Sequence, residues 1–297
     1  GWAGAPYFPS DTPKKRVDSS IEFVSDIGMP IKKIDDSKKQ LSNNKGEQLT
    51  TILKYISNLA EKEHITTKNL WLDNIPEDIY VGALRDKYKL KVVPNLVQAV
   101  IGEYDDPSNQ KQGLVKLELN KKENIIIYGN AESGKETLLS TFTFDLMTSY
   151  STKDVQIYIL DFGTEALKIF KPSPHVGDVI FLGQTEKLDT FFELITSFIK
   201  ERKNILSNYN GDLDLYVSKG NVMPIITIII NNYEAFSENY EDKYDDLFLT
   251  ITREGPKCGI LFVVTASSTS AMRFRLTQNF NKKIGLQIND ESDYYVG

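Results

Sequence analysis

Seven consecutive residues, Gly129-Asn130-Ala131-Glu132-Ser133-Gly134-Lys135, carry the glycine and lysine spacing of a loop that wraps phosphate groups. The chemistry follows from the spacing. Successive backbone N–H groups form an anion nest, a following helix adds positive potential at its N-terminus, and a lysine supplies a point charge for the outer phosphates. In such a loop the next residue is a Ser or Thr whose hydroxyl ligates Mg²⁺. Here it is Glu136, and the hydroxyl comes one residue later, at Thr137. A hydrolysing site also needs carboxylates at the end of a second apolar strand, to hold the metal through its water and to polarise the attacking water. The apolar run Ile225 to Ile230 is followed instead by Asn231-Asn232. An amide can accept from metal-bound water, but it brings no charge and takes no proton near neutral pH.

Charge arithmetic sharpens the departure. A carboxylate ~4 Å from a phosphate oxygen costs on the order of 4 kcal/mol at an effective dielectric of ~20. That is roughly three orders of magnitude in affinity. A carboxylate in a first helical turn is, however, favoured by the dipole in its own right. The expectation is that Glu136, or Glu132 in the loop, partly replaces a nucleotide phosphate, leaving ATP with Mg²⁺ weakly bound. Two alternatives stay open: Glu136 points to water and nucleotide binds normally, or the loop is a tight turn that never meets phosphate. The paired amides argue against hydrolysis in every case.

These residues need a strand before the loop and a helix after it, and the sequence supplies both. Ile125-Ile126-Ile127-Tyr128 is apolar throughout, as in a strand buried on both faces of a parallel sheet. Leu138, Leu139, Phe142 and Leu146 recur at helical spacing. Further strands are predicted at 155–160, 176–181, 225–230, 259–264 and 284–288. A long helix carries Leu188 to Leu206, and another carries Leu247, Phe248 and Ile251. Strands alternating with helices predict an α/β fold, a mostly parallel sheet flanked by helices, with its ligand site at the strands' carboxyl ends.

Upstream the text is mixed. Residues 1–20 hold three prolines and the basic knot Lys14-Lys15-Arg16, a loop or tail docked through Trp2, Tyr7 and Phe8. Residues 21–34 read as a hairpin around Gly28-Met29-Pro30, and 47–64 as an amphipathic helix closed by His64. Leu70-Trp71-Leu72 and Ile79-Tyr80-Val81 flank a turn at Asp73 to Pro76. Two strands are predicted at 97–101 and 114–119, with Asp105-Asp106-Pro107 between them as turn chemistry rather than a metal site. The expected division is a tail at 1–20, an N-terminal α+β extension at 21–101 and a P-loop domain at 102–297.

Composition excludes several classes. The 297 residues are 40% hydrophobic and 26% charged, enough for a substantial core. One cysteine, Cys258, allows no intrachain disulfide, and with two histidines it offers no zinc cluster. No apolar run is long enough to span a bilayer, and the start at Gly1-Trp2-Ala3 reads as a cut through a larger protein. A net charge of −6 opposes a general nucleic-acid surface.

Taken together, Gly129 to Thr137, Leu160-Asp161-Phe162-Gly163, Pro174-His175-Val176, Glu193 through Arg202, Cys258-Gly259-Ile260, Thr265-Ala266-Ser267 and Leu286 to Tyr294 resemble the FtsK/SpoIIIE family of RecA-like motor domains. With Gly102 to Pro107, Gln110 and Gln112 ahead of a degenerate loop, the chain is most similar to the last ATPase module of the EssC/EccC family, the coupling ATPases of type VII secretion. The resemblance implies a RecA-like P-loop domain in a plasma-membrane protein, on its cytoplasmic face. It implies partners as well: neighbouring ATPase modules of the same chain, other secretion-machinery subunits and secreted WXG100-like substrates. It assigns His175 to a loop-shaping turn. Three functions compete: a docking module with little or no hydrolysis, a competent protein translocase, and a DNA translocase. Arg253, Arg273 and Arg275 are either fingers towards a neighbouring module or surface residues.

Overall fold

In the computed structural model the described residues are 23–24, 26–27, 30–32, 48–65, 72–93 and 95–287. The chain forms two compact units, Gly1–Lys68 and Asn69–Gly297. The aromatic residues of the predicted tail, Leu70-Trp71 and the stretch from Ile288 to Tyr294 lie outside the described residues.

In the first unit, β1 (Phe23–Val24) pairs antiparallel with β2 (Pro30–Lys32), the hairpin expected there. Helix α1 (Gln48–Lys62) follows. His64, just past its end, has φ 53°, and its N–H donates to the Glu61 carbonyl at 3.1 Å.

The second unit opens with α2 (Val81–Lys87), where the sequence shows only an apolar segment after a turn. Its seven residues are too few for helical periodicity to register, and it is held by tertiary contacts. Strands β3 (Gln98–Asp106) and β4 (Lys111–Glu118) form an antiparallel hairpin. Both outrun their predicted limits, because polar residues from Glu103 to Asp106 pair as readily as apolar ones at a solvated edge. Asp106 accepts from the Asn109 N–H at 3.2 Å and its amide at 2.7 Å, which makes the acidic pair turn chemistry as expected.

The core is a parallel six-stranded sheet in the order β10-β5-β9-β8-β6-β7. Its strands are β5 (Ile125–Tyr128), β6 (Val155–Asp161), β7 (Val176–Phe181), β8 (Ile225–Asn231), β9 (Ile260–Ala266) and β10 (Lys282–Gly285). The connections carry α3 (Lys135–Ser149), α4 (Thr185–Ser207), α5 (Leu213–Ser218), α6 (Tyr233–Glu254) and α7 (Phe274–Thr277). Alternate residues of each strand serve opposite faces. Ile125 and Ile127 pack with α3 and the β3–β4 hairpin; Ile126 and Tyr128 pack with α4 and α6. The near-continuous apolar runs are therefore those of strands covered twice. Strand β10 begins two residues before the predicted start, since its register with β5 sets Lys282 against Ile125.

Two arginines, Arg85 half-buried and Arg202 buried, tie the layers. Arg85 of α2 meets Asp145 of α3 with Nε–Oδ1 and Nη2–Oδ2 both at 2.6 Å, and Asp145 also accepts from the Val100 N–H at 2.7 Å. Arg202 of α4 donates to the carbonyls of Cys258 and Pro224, each at 2.8 Å. Burial lowers its pKa to about 10.

Candidate functional site

The parallel register places the C-terminal ends of β5, β6, β8 and β9 side by side, with Tyr128 opposite Ala266 and Asp161 opposite Asn231. Every residue singled out for phosphate chemistry lies at this end. The loop leaves β5 at Gly129, whose N–H donates to the Ala266 carbonyl at 3.1 Å. Glu132 and Gly134 adopt φ of 61° and 89°, so successive N–H groups turn to one side as an anion nest requires. The left-handed value at 134, immediately before α3, is one that glycine takes without strain. Ala131, Ser133 and Thr137 complete a cleft of about 670 Å³, shared with Asn231 and Asn232. That is ample for a nucleotide.

Lys135 bends back onto its own loop, donating to the carbonyls of Gly129 and Asn130, the latter at 2.7 Å. Burial lowers its pKa, against the pull of Glu234 and Glu136. Glu136 does something the sequence did not indicate. Its carboxylate turns sideways, away from the nest, and Oε1 accepts from Thr164 Oγ1 at 2.8 Å and Asn231 Nδ2 at 3.1 Å. The Thr164 N–H adds a longer contact to the same oxygen at 3.4 Å, so the described donors to Glu136 lie outside the phosphate loop, and it is not pointed freely at water. Burial would raise its pKa, but the Thr164 and Asn231 hydrogen bonds outweigh that and hold it below the ordinary value.

Asn231 is 2% exposed and fully engaged. Its Nδ2 donates to Asp161 Oδ1 at 2.9 Å as well as to Glu136, and its Oδ1 accepts from Thr265 Oγ1 at 3.0 Å. Asn232, at φ 69°, caps α6: its Oδ1 accepts from the Ala235 N–H at 3.2 Å, and its Nδ2 donates to the Phe162 carbonyl at 3.3 Å. The two amides thus have different tasks. One bridges strands and the other starts a helix.

Magnesium at a P-loop is held by the loop hydroxyl and by a carboxylate on the second strand. In this chain the residues at those two positions, Glu136 and Asn231, are hydrogen-bonded to each other. The Asn231 N–H₂, a donor that cannot ligate a cation, faces the Glu136 and Asp161 carboxylates.

Sequence reading missed four members of the site. Asp161 is 1% exposed and accepts from the Leu167 N–H at 3.0 Å and the Gly163 N–H at 3.2 Å. Thr164 binds Glu136, and Thr265 orients Asn231. Glu234 lines the cleft from the first turn of α6, and its Oε1 accepts from both the N–H and Oγ of Ser267 at 2.6 Å. The available signal was a polar residue at or just after the end of each apolar strand. His175 lies at the opposite end of the sheet, bonded through Nε2 to the Tyr150 carbonyl at 2.8 Å, as a loop-shaping role requires. Arg273 pairs with Asp245 at 2.9 Å. Arg253 pairs with Glu254 at the far end of α6, roughly 30 Å along the helix from Asn232.

Residues 103–295 match the FtsK/SpoIIIE family. The type VII secretion system protein EssC of Staphylococcus aureus (strain MRSA252) is 26% identical over 310 aligned positions, which cover 100% of this chain and 21% of that protein. The ESX secretion system protein YukB of Bacillus subtilis (strain 168) is 24% identical, covering 99% of this chain and 19% of its own length. The chain therefore spans about a fifth of the length of these curated relatives. Among solved structures, ATPases 2 and 3 of EssC from Geobacillus thermodenitrificans superimpose with a TM-score of 0.65 at 25% identity, over 75% of this chain and 42% of that one. ATPases 2 and 3 of Thermomonospora curvata EccC, in complex with a signal sequence peptide, give 0.60 at 21% identity, over 65% and 36%.

Proposed function

The chain belongs to the FtsK/SpoIIIE family, and on that premise we propose that it is a docking module of a type VII secretion coupling ATPase, with weak or no nucleotide binding and little or no hydrolysis. The observation that carries this reading is the Glu136–Asn231–Asp161 bridge. It ties up the side chains at the two positions on which the metal would depend, and Asn232, at the position that would polarise the attacking water, is an amide that caps α6. Docking has a place of its own at the other end of the sheet. There a cavity of about 310 Å³ has an apolar side that includes Val97, Leu213, Val217 and Met223 and a charged side that includes Lys122 and Asp214. We assign to it an apolar segment of a secreted WXG100-like substrate; that an EccC structure is in complex with a signal sequence peptide supports a peptide ligand. Coupling to export then falls to neighbouring modules and other machinery subunits, with the parent protein at the cytoplasmic face of the plasma membrane.

Purified candidate substrates titrated into the chain test this directly. Binding is expected with and without ATP, and Val217→Asp is expected to weaken it at least tenfold while leaving the nucleotide cleft unaltered. A second reading, a competent translocase, draws on the intact nest and Lys135. ATP turnover by the chain that disappears in Lys135→Ala would establish it and overturn the first. Salt-sensitive retention of DNA would overturn both in favour of a DNA motor.

A further inference from the structure

On the non-hydrolytic reading above, we propose that the side-chain amide of Asn231 takes the place of the divalent cation in this cleft, so that a nucleoside di- or triphosphate binds here without metal. The amide nitrogen lies 3.1 Å from Glu136 Oε1 and 2.9 Å from Asp161 Oδ1. It has two hydrogens and gives one to each oxygen. Two carboxylates facing one another across a strand end need positive charge between them, and the N–H₂ group supplies it as a fixed dipole.

Which end of the amide faces the carboxylates is settled by a third strand. Thr265 Oγ1 accepts from the Asn232 N–H at 2.8 Å and directs its own hydrogen to Asn231 Oδ1 at 3.0 Å. Turning the amide over would set Oδ1 against two carboxylates and deprive both of their donor. Magnesium requires oxygen ligands at about 2.0–2.1 Å in octahedral geometry. Here the ion would have to expel Asn231 and take Glu136 from Thr164 as well. The elements that bind an anion without metal are independent of this bridge: the nest, the N-terminus of α3, and Lys135, whose hydrogen-bond partners among the described residues are loop carbonyls.

Calorimetric titration of the intact chain with ATP and with ADP, once in EDTA and once in excess Mg²⁺, tests the proposal. Dissociation constants within threefold of each other are expected. Tightening by Mg²⁺ of tenfold or more overturns it, and so does an absence of binding in EDTA at millimolar nucleotide. The latter outcome leaves the docking reading standing, whereas Mg²⁺-dependent turnover would remove both. Asn231→Asp is expected to weaken binding in EDTA at least tenfold and to make it respond to Mg²⁺, with Mn²⁺ electron paramagnetic resonance reporting a protein-bound ion. Glu136→Ser guards against a misfolded Asp variant. It restores the loop hydroxyl but leaves the amide in place, so binding must remain metal-independent. A return of Mg²⁺ sensitivity in Glu136→Ser alone would show that the carboxylate had excluded the ion, and the proposal would fall.

Discussion

Gly163 and Asn231 approach so closely that a Cβ on the glycine would stand 2.6 Å from Asn231 Nδ2 and 3.0 Å from Glu136 Oε1. The bare Cα two residues after the end of β6 is what lets the amide and the carboxylate meet. Gly163→Ala is therefore expected to break that hydrogen bond and to destabilise the chain by about 1–3 kcal/mol, the usual range for a disrupted buried polar contact. Urea denaturation measures it. An alanine variant as stable as the wild type would show that the bridge relaxes freely.

The Arg85–Asp145 pair joins α2 to the helix that follows the phosphate loop, and the Asp145 side chain is fully buried. Arg85→Met should cost about 3 kcal/mol, because it leaves a buried carboxylate with too few donors. Arg85→Met combined with Asp145→Leu should recover part of the loss, since the leucine removes the stranded charge but leaves the Val100 N–H without its acceptor. Chemical denaturation of the single and double variants separates the two cases, and an equal loss in both would assign the effect to packing.

Thr227 sits in the middle of β8, 0% exposed, and its Oγ1 has no hydrogen-bond partner among the described residues. A buried hydroxyl left unpaired is a cost without return. Thr227→Val keeps the branched shape and should raise stability by ~1 kcal/mol. A lower urea midpoint in the valine variant would contradict this.

Glu136 is held below its ordinary pKa of 4.5 in the folded state. A carboxyl so depressed contributes stability that is fully present above its unfolded pKa and lost as pH falls through the folded one. The advantage of wild type over Glu136→Gln should thus be constant above about pH 6 and shrink progressively below about pH 4.5. Urea midpoints of both proteins at pH 6.5, 4.5 and 3.5 provide the comparison. A gap of the same size at all three would mean that the carboxylate charge contributes nothing.

Much of the scaffold was legible in the sequence because its determinants are local. The apolar run Ile225 to Ile230, the helical spacing of Leu139, Phe142 and Leu146, and the glycines around Lys135 each specify their own backbone within a few residues. Weak local signals gave less. The short helix Val81–Lys87 and the early start of β10 depend on partners far away in the chain.

The sequence by itself determined which side chains stand at the end of each strand, and hence that Glu136, Asn231 and Asn232 occupy the positions where a hydrolysing P-loop site carries a hydroxyl and two carboxylates. Only the tertiary structure decided what those groups do with one another. Sheet order and register set Asp161 against Asn231, 70 residues apart in the chain, and Thr265 then fixes which way the amide faces. A carboxylate's direction is chosen by the donors it meets, and for Glu136 those donors arrive from β8 and from the loop after β6.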